Sequence, residues 1–445
     1  MKKSALNGFA AACVALATSV TVQAADLKTV FEQALQNDPQ LAAELALADA
    51  NAQSVGLARG GVLPQIALTA EKSTTTLDDG LNSQTGLGYD NEEFEKTSYG
   101  INLKQALIAP NSWYTYGAAS ATTDKAALER VKAEQSIVVR LSEAYFNVLR
   151  ATASLASAKA QEAAVKRQLE QTQQRFKVGL IAITEVHEAK AVYDGATVEL
   201  IAAESQLDIA YEALALLTGE RYHHINPLKT DIPLTGPNPA DRTHWEQLAL
   251  ANNIDVLIAQ KGQLSAVRNH KAKISDHAPT LDLVASYSVT EDEANAASLG
   301  EELTATYVGL QLNMPLFVGG SQYAAQKQAY YQRQAAEKSL EAAQRGASLK
   351  VRSLYRQLEA DVARVKARKQ AITSARSAME ATQTGYEVGT RNIVEVLQAQ
   401  LKVFSAERDY AYARYDYVID TLKFRQAVGQ LSLKDIEELN AWLQG

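Results

Sequence analysis

The chain has almost no cysteine: one in 445 residues, Cys13. It lies in the opening stretch, so no disulfide can form within the chain and no cysteine is available for catalysis further on. Packing alone must stabilise the fold. Past position 24 there is also no run of 18 apolar residues, which excludes a membrane-spanning helix. If the protein sits in a membrane it must do so as a closed β-barrel, because only helices and closed barrels satisfy every backbone group in lipid. Positive charge is in deficit as well. The formal net charge is −7, which argues against nucleic acid as a partner. Catalytic signatures are missing too: there is no P-loop and no HExxH. His223-His224 falls in a proline-rich stretch and reads as solvated loop; Glu301-Glu302 reads as loop charge. No enzyme, cofactor or metal site is expected.

What is present begins with a secretory leader over 1–24. Lys2 and Lys3 precede an apolar region from Phe9 to Val22, and Val22-Gln23-Ala24 is a small-residue cleavage site. Losing both lysines would take the net charge to −9. No apolar stretch long enough for a lipidation signal precedes Cys13.

A second feature is a repeat. RFKVGLIAITEVHEAK (175–190) has a copy 210 residues on, GYEVGTRNIVEVLQAQ (385–400). The two share an aromatic (Phe176, Tyr386), Val-Gly (Val178-Gly179, Val388-Gly389), Ile183 and Ile393, Glu-Val (Glu185-Val186, Glu395-Val396) and an alanine (Ala189, Ala399). Such a repeat marks internal duplication. Within each copy a glycine stops one helical pattern and Thr184, or Arg391-Asn392, starts another, so each is the tip of a helical hairpin.

The two halves, 25–220 and 243–445, then show one order of elements, joined by a linker over 221–242 that holds Pro227, Pro233, Pro237 and Pro239. Short helices over 27–37 and 39–60 lead to Leu63-Pro64, where the period changes to two: Ile66, Leu68 and Ala70 alternate with polar neighbours, as do Tyr99, Ile101 and Leu103. A strand pair over 65–107 is expected, with an acidic loop over 78–95. A helix over 112–178 follows, then a return helix over 184–217. The second half expects short helices over 243–252 and 254–275, a strand pair over 280–314 around an acidic loop, a helix over 321–385, a return helix over 391–428 and a last short helix. A 67-residue helix is about 100 Å long, several times the usual globular length of about 11–12 residues. The apolar stripe Val351, Leu354, Tyr355, Leu358, Val362, Val365 has near coiled-coil spacing.

Each strand is about ten residues, enough to cross a bilayer when tilted. Four strands do not close a barrel, and an open sheet would expose its edges to lipid. Closure must come from several copies: two would give eight strands with a filled interior, three would give twelve with room for a channel. The pattern does not choose between them. One sign points the other way: the chain ends in a helix, Ala441-Trp442-Leu443, not in a barrel strand. The competing reading is a periplasmic helical-hairpin adaptor, which needs no amphipathic strand pairs.

The sequence resembles the TolC family of outer-membrane efflux channels over the whole of its length past the leader. The resemblance is carried by the two tip repeats, the strand-to-helix joins QALIAPNSW (105–113) and MPLFVGG (314–320), and Leu63-Pro64. It implies an α+β membrane protein: a homotrimer with a twelve-stranded barrel in the Gram-negative outer membrane, continuous with a helical tunnel across the periplasm. It further implies that the tunnel tip docks on a periplasmic adaptor and serves an inner-membrane RND, MFS or ABC transporter, in drug efflux or type I secretion. Carried over by position, Tyr386 and Arg391 would bond Thr184 and Glu185 near the turns at Gly179 and Gly389 and so close the periplasmic mouth. Glu395 would form an acidic constriction ring. The family's second acidic ring falls on Gln398, a neutral residue, which is a departure from the pattern.

Overall fold

The computed structural model describes residues 25–77, 80–81, 88–89, 92–292 and 302–444. The expected leader, Cys13, most of the first acidic loop and nearly all of the second lie outside them.

Two helical hairpins dominate. The first pairs α4 (Pro110–Lys177) with α5 (Ile183–Thr218); the second pairs α8 (Ser321–Glu387) with α9 (Ile393–Ala427). At ~1.5 Å per residue, the 68 residues of α4 and the 67 of α8 each reach about 100 Å. Proline at the first position opens α4, where its missing N–H costs nothing.

Between the hairpins lie shorter elements: α1 (Leu27–Asn37), α2 (Pro39–Ala52), α3 (Ser54–Arg59), α6 (Arg242–Asn252), α7 (Ile254–Ser275) and α10 (Lys434–Asn440). The single helix expected over 39–60 is broken at Gln53, which serves as the C-cap of α2 and the N-cap of α3. Asp26, Asp38, Asp241 and Asn253 cap α1, α2, α6 and α7 by accepting backbone N–H groups.

The strands are β1 (Gln65–Leu77), β2 (Gly80–Leu81), β3 (Gly88–Tyr89), β4 (Glu92–Ile108), β5 (Thr280–Asp292) and β6 (Glu302–Asn313). The short β2 and β3 pair only with each other. The other four form one antiparallel sheet in the order β1-β4-β5-β6, so β4 and β5 join the two halves. Register puts Leu68, Ile101 and Tyr287 in one row, and Ile66, Leu103, Ala285 and Val308 in the next. Paired residues share a face, so an apolar face runs across the sheet, and Ile66, Leu68, Val308 and Leu310 on it are 63–77% exposed. The other face carries Lys104, whose ammonium meets Asp282 at 3.0 Å. Among the described residues nothing pairs with the outer sides of the edge strands, β1 and β6.

The main core sits midway along the hairpins. Leu27, Phe31, Tyr145, Phe146, Leu214, Tyr417, Leu422 and Ile436 belong to it. The proline-rich segment between the halves is not a slack tether. Ala25 bridges Ile225 and Leu228 bridges Leu443. The Tyr417 hydroxyl donates to the Pro233 carbonyl at 3.1 Å and accepts the Thr235 N–H at 3.0 Å. Trp245 Nε1 donates to Pro239 at 2.8 Å. These bonds fasten the segment to α6, to α9 and to residues flanking α1 and α10.

Gly429 fixes where α9 ends. Its φ is +75°, and a Cβ there would overlap the Asn252 carbonyl oxygen. Asn253 beside it donates to the Ala427 carbonyl at 2.8 Å. Gly429→Ala combines left-handed strain with a backbone clash, so it is expected to cost about 3 kcal/mol or more. Thermal unfolding of the assembled protein checks this, and a melting temperature equal to wild type would refute it.

Candidate functional site

The free ends of the two hairpins meet. Val165 and Leu169 of α4, Ala189 of α5, Tyr386 of α8, and Ile393, Val396 and Leu397 of α9 form a small buried cluster of their own. Both turns are built alike. The N–H of Gly179 bonds the Phe176 carbonyl at 2.9 Å and that of Leu180 bonds Arg175 at 3.0 Å; Gly389 bonds Tyr386 at 3.1 Å and Thr390 bonds Gly385 at 2.8 Å. This is the Schellman closure, with the left-handed residue a glycine in both, φ +73° and +79°. Beside the glycines, Val178, Leu180 and Val388 stand about 70% exposed, at 71%, 68% and 70%.

The two copies differ in chemistry. Phe176 is 40% exposed, whereas its counterpart Tyr386 is 6% exposed. The Arg175 guanidinium lies over the Tyr386 ring, 4.9 Å from its centroid, a cation–π contact. Burial raises the Tyr386 phenol above its ordinary pKa; Arg175 opposes this and the Glu185 charge adds to it. The Glu185 charge therefore reaches Tyr386. The hydroxyl is out of solvent and no hydrogen bond of good geometry reaches it among the described residues; Arg175 lowers its pKa both by charge and as a nearby donor.

Arg391 is engaged elsewhere within the chain. Its guanidinium meets Glu395 at 2.6 Å, one helical turn on. Asn392 caps α9 by accepting the Glu395 N–H at 2.9 Å. Thr184 is exposed, Glu185 half-buried and Gln398 exposed. One chain thus brings Tyr386 within reach of the Glu185 charge and joins Arg391 to Glu395, while its described hydrogen bonds and ion pairs include none from Arg391 to Thr184 or Glu185. Arg175 is the residue the sequence reading passed over. Its signal is the mismatch between copies: arginine in the first stands where the second has Gly385.

Among the described residues no group of three or more His, Cys, Asp or Glu is placed to hold a metal ion, and no helix is long and apolar enough to cross a membrane.

Comparison with known proteins places this architecture. The sequence model of a family described as "Outer membrane efflux protein" matches residues 30–220 and 245–430. The chain is 37% identical to the outer membrane protein TolC of Vibrio cholerae serotype O1 over 429 residues, covering 96% of this chain and 95% of that protein. It is 26% identical to the alkaline protease secretion protein AprF of Pseudomonas aeruginosa, covering 92% and 85%. Its fold superposes on the Campylobacter jejuni CmeC outer membrane channel with a TM-score of 0.78 at 17% identity, over 94% of this chain and 90% of that one. With the family model matching both halves and a relative above 30% identity along nearly the full length, the chain belongs to the outer membrane efflux protein family.

Proposed function

We propose that this protein is a passive exit duct of the outer membrane, serving tripartite efflux pumps and type I secretion, and gated at its periplasmic helical tip. The observation that carries the reading is the sheet. It has four strands, one apolar face, two open edges, and helices about 100 Å long rising from its base. Open edges in lipid are untenable, so the sheet must be completed by other copies. An adaptor would have no use for it.

Three copies give twelve strands and leave a passage; two would fill their interior with side chains. A homotrimer is therefore the assembly we infer, with the outer membrane lipid against the apolar face and the α4, α5, α8 and α9 hairpins forming the tunnel below. The matching element order of 25–220 and 243–445, and the matching turns at Gly179 and Gly389, support descent from a duplicated half. The exposed Val178, Leu180 and Val388 suit docking of a periplasmic adaptor. Through it an RND, MFS or ABC transporter of the inner membrane would feed the duct. AprF is named for the secretion of a protease and the family for efflux, and both kinds of cargo suit a conduit that does not itself choose.

At the tip, Tyr386 and Arg391 would link to Thr184 and Glu185 of neighbouring hairpins. The orphaned Tyr386 hydroxyl supports this, since a buried donor without a partner costs about 1–3 kcal/mol. Arg391 would exchange its Glu395 contact for the link, or share it. The Glu395 carboxylates would ring the constriction and favour cations, with Gln398 adding no charge. Glu395→Ala is expected to lower the cation preference, read as a smaller reversal potential across a salt gradient; an unchanged potential removes the ring assignment. The duct itself is tested by single-channel recording of the extracted, assembled protein in planar bilayers. A small, cation-preferring conductance is expected. No conductance from correctly assembled protein would return the reading to an adaptor.

A further inference from the structure

α8 and α9 run antiparallel from the tip, and two aspartates lie level with one another far above it. Asp361 is 26 residues from the end of α8 at Glu387; Asp420 is 27 residues from the start of α9 at Ile393. Both therefore stand about 40 Å from the turn at ~1.5 Å per residue. Asp361 is 0% exposed. Its Oδ1 accepts from Gln357 at 3.1 Å and forms an ion pair with Arg364 at 3.0 Å. Its Oδ2 is out of solvent and meets no donor among the described residues. The group at hydrogen-bonding reach is the Asp420 carboxyl. Two carboxylates facing each other have four acceptors and no donor, and one proton is what completes the contact.

The charges around the pair leave room for that proton. On α8, Arg364 faces Asp361. On α9, Asp416 lies one turn from Asp420 but is taken by Arg150 of α4. Lys423 of α9 meets Glu143 of α4 at 2.6 Å. The 221–241 segment brings Asp231 alongside Lys366 and Lys369, one turn further toward the tip, and α6 meets α8 further toward the membrane through Glu246 and Arg352 at 2.5 Å. Arg364, and a Lys423 shared with Glu143, are left to balance two carboxylates. Leu358, Val365, Val418 and Leu422, all buried, hold Asp361 away from water, while Asp420 is half-buried beside it.

We propose that Asp361 and Asp420 share one proton, and that this carboxyl–carboxylate pair is a proton-operated latch fastening α8 to α9 in mildly acidic conditions and released as the pH becomes neutral. Burial first, then the Asp420 charge, pushes Asp361 up to about 6; burial raises Asp420 as well. The native pair thus binds its proton more tightly than an unfolded aspartate does. Its contribution is complete below the ordinary value of 3.8 and is lost as pH rises through about 6. At neutral pH two like charges face each other in an apolar setting, and the hairpin loosens at that level. None of this depends on the gate reading, which concerns the other end of the hairpin.

Infrared difference spectroscopy of the assembled protein tests it. In wild type, loss of a protonated-carboxyl band is expected at about pH 6, and thermal stability should fall across the same interval. In Asp361→Asn and in Asp420→Asn the band near pH 6 should disappear and stability should become flat there, because an amide supplies the missing donor permanently. A wild type whose protonated-carboxyl signal is already gone by about pH 4.5 overturns the proposal. So does a band near pH 6 that persists in both single variants. The wild-type titration decides the matter even if one variant fails to assemble.

Discussion

Tyr386→Phe combined with Arg391→Ser is expected to raise single-channel conductance several-fold over wild type. The pair of substitutions is chosen so that the hairpin itself stays packed. Phenylalanine fills the place of the Tyr386 ring among Val165, Leu169 and Ile393, and keeps an aromatic face for Arg175. Serine at 391 removes a guanidinium whose side chain is 59% exposed, so no core contact is lost. Within one chain, then, the double variant forfeits an orphaned hydroxyl and one solvated ion pair worth about 0.2–1 kcal/mol. A large change in conductance cannot come from those. It would come from links between copies, where a hydrogen bond to a charged group contributes about 1.5–3 kcal/mol and several would close each proposed mouth. Each ~1.4 kcal/mol removed shifts a closed–open balance tenfold. Glu185→Ala should move conductance in the same direction by removing the acceptor. Planar-bilayer recording reads all three. A wild type already wide open, or a double variant that matches it, would keep the duct and discard the gate assignment.

The elements that form this architecture could be read from the chain wherever one face of an element meets an apolar neighbour. Ile66 to Ala70 and Tyr99 to Leu103 alternate because their apolar sides align in the sheet; Val351 to Val365 repeat at helical spacing because that stripe is buried. The pattern fades where both faces meet water. β4 begins at Glu92, inside a stretch read as loop, and β1 continues to Leu77. There the pairs are Thr74 with Glu95 and Ser73 with Lys96, and no period of hydrophobicity marks them. The segment 221–241 was opaque for another reason. Its anchors are backbone groups met by Tyr417 and Arg414, about 180 residues away, and backbone groups carry no sequence signal.

At the tip, the spacing of four that joins Arg391 to Glu395 is visible in the sequence, yet the family resemblance directs Arg391 toward Glu185. In the proposed gate the same guanidinium would be drawn to both carboxylates, Glu395 within its own chain and Glu185 across the seam. Asp361 also shows itself, as a lone acid three residues after Leu358 and one before Val362 on the apolar side of α8. A polar residue on such a stripe is the feature a sequence reader should stop at, since burial must give it a partner.

Ile101→Arg is expected to abolish assembly in the membrane, whereas Asn102→Arg, one residue on, is tolerated. Successive residues of a strand face opposite sides, so the two substitutions place the same charge on opposite faces of β4. Ile101 pairs with Leu68 and Tyr287 in the apolar row; Asn102 pairs with Ala67 and Ser286 on the face that carries Lys104 and Asp282. β4 is interior to the sheet and neither change touches its backbone ladder. In the proposed barrel the Ile101 row lies in lipid, where an arginine near the midplane costs about 2–4 kcal/mol, and a trimer bears that cost three times. Asn102 would face the water-filled lumen, where arginine is solvated and alters ion selectivity at most. The fraction of heat-resistant oligomer recovered from outer membranes measures both. A fall of more than about tenfold for Ile101→Arg, corresponding to at least ~1.4 kcal/mol, with Asn102→Arg near wild type, is the expected result. Equal tolerance would mean that the apolar face does not meet lipid. Damage confined to Asn102→Arg would mean that the sheet closes with its other side outward, and the apolar rows would then line the lumen.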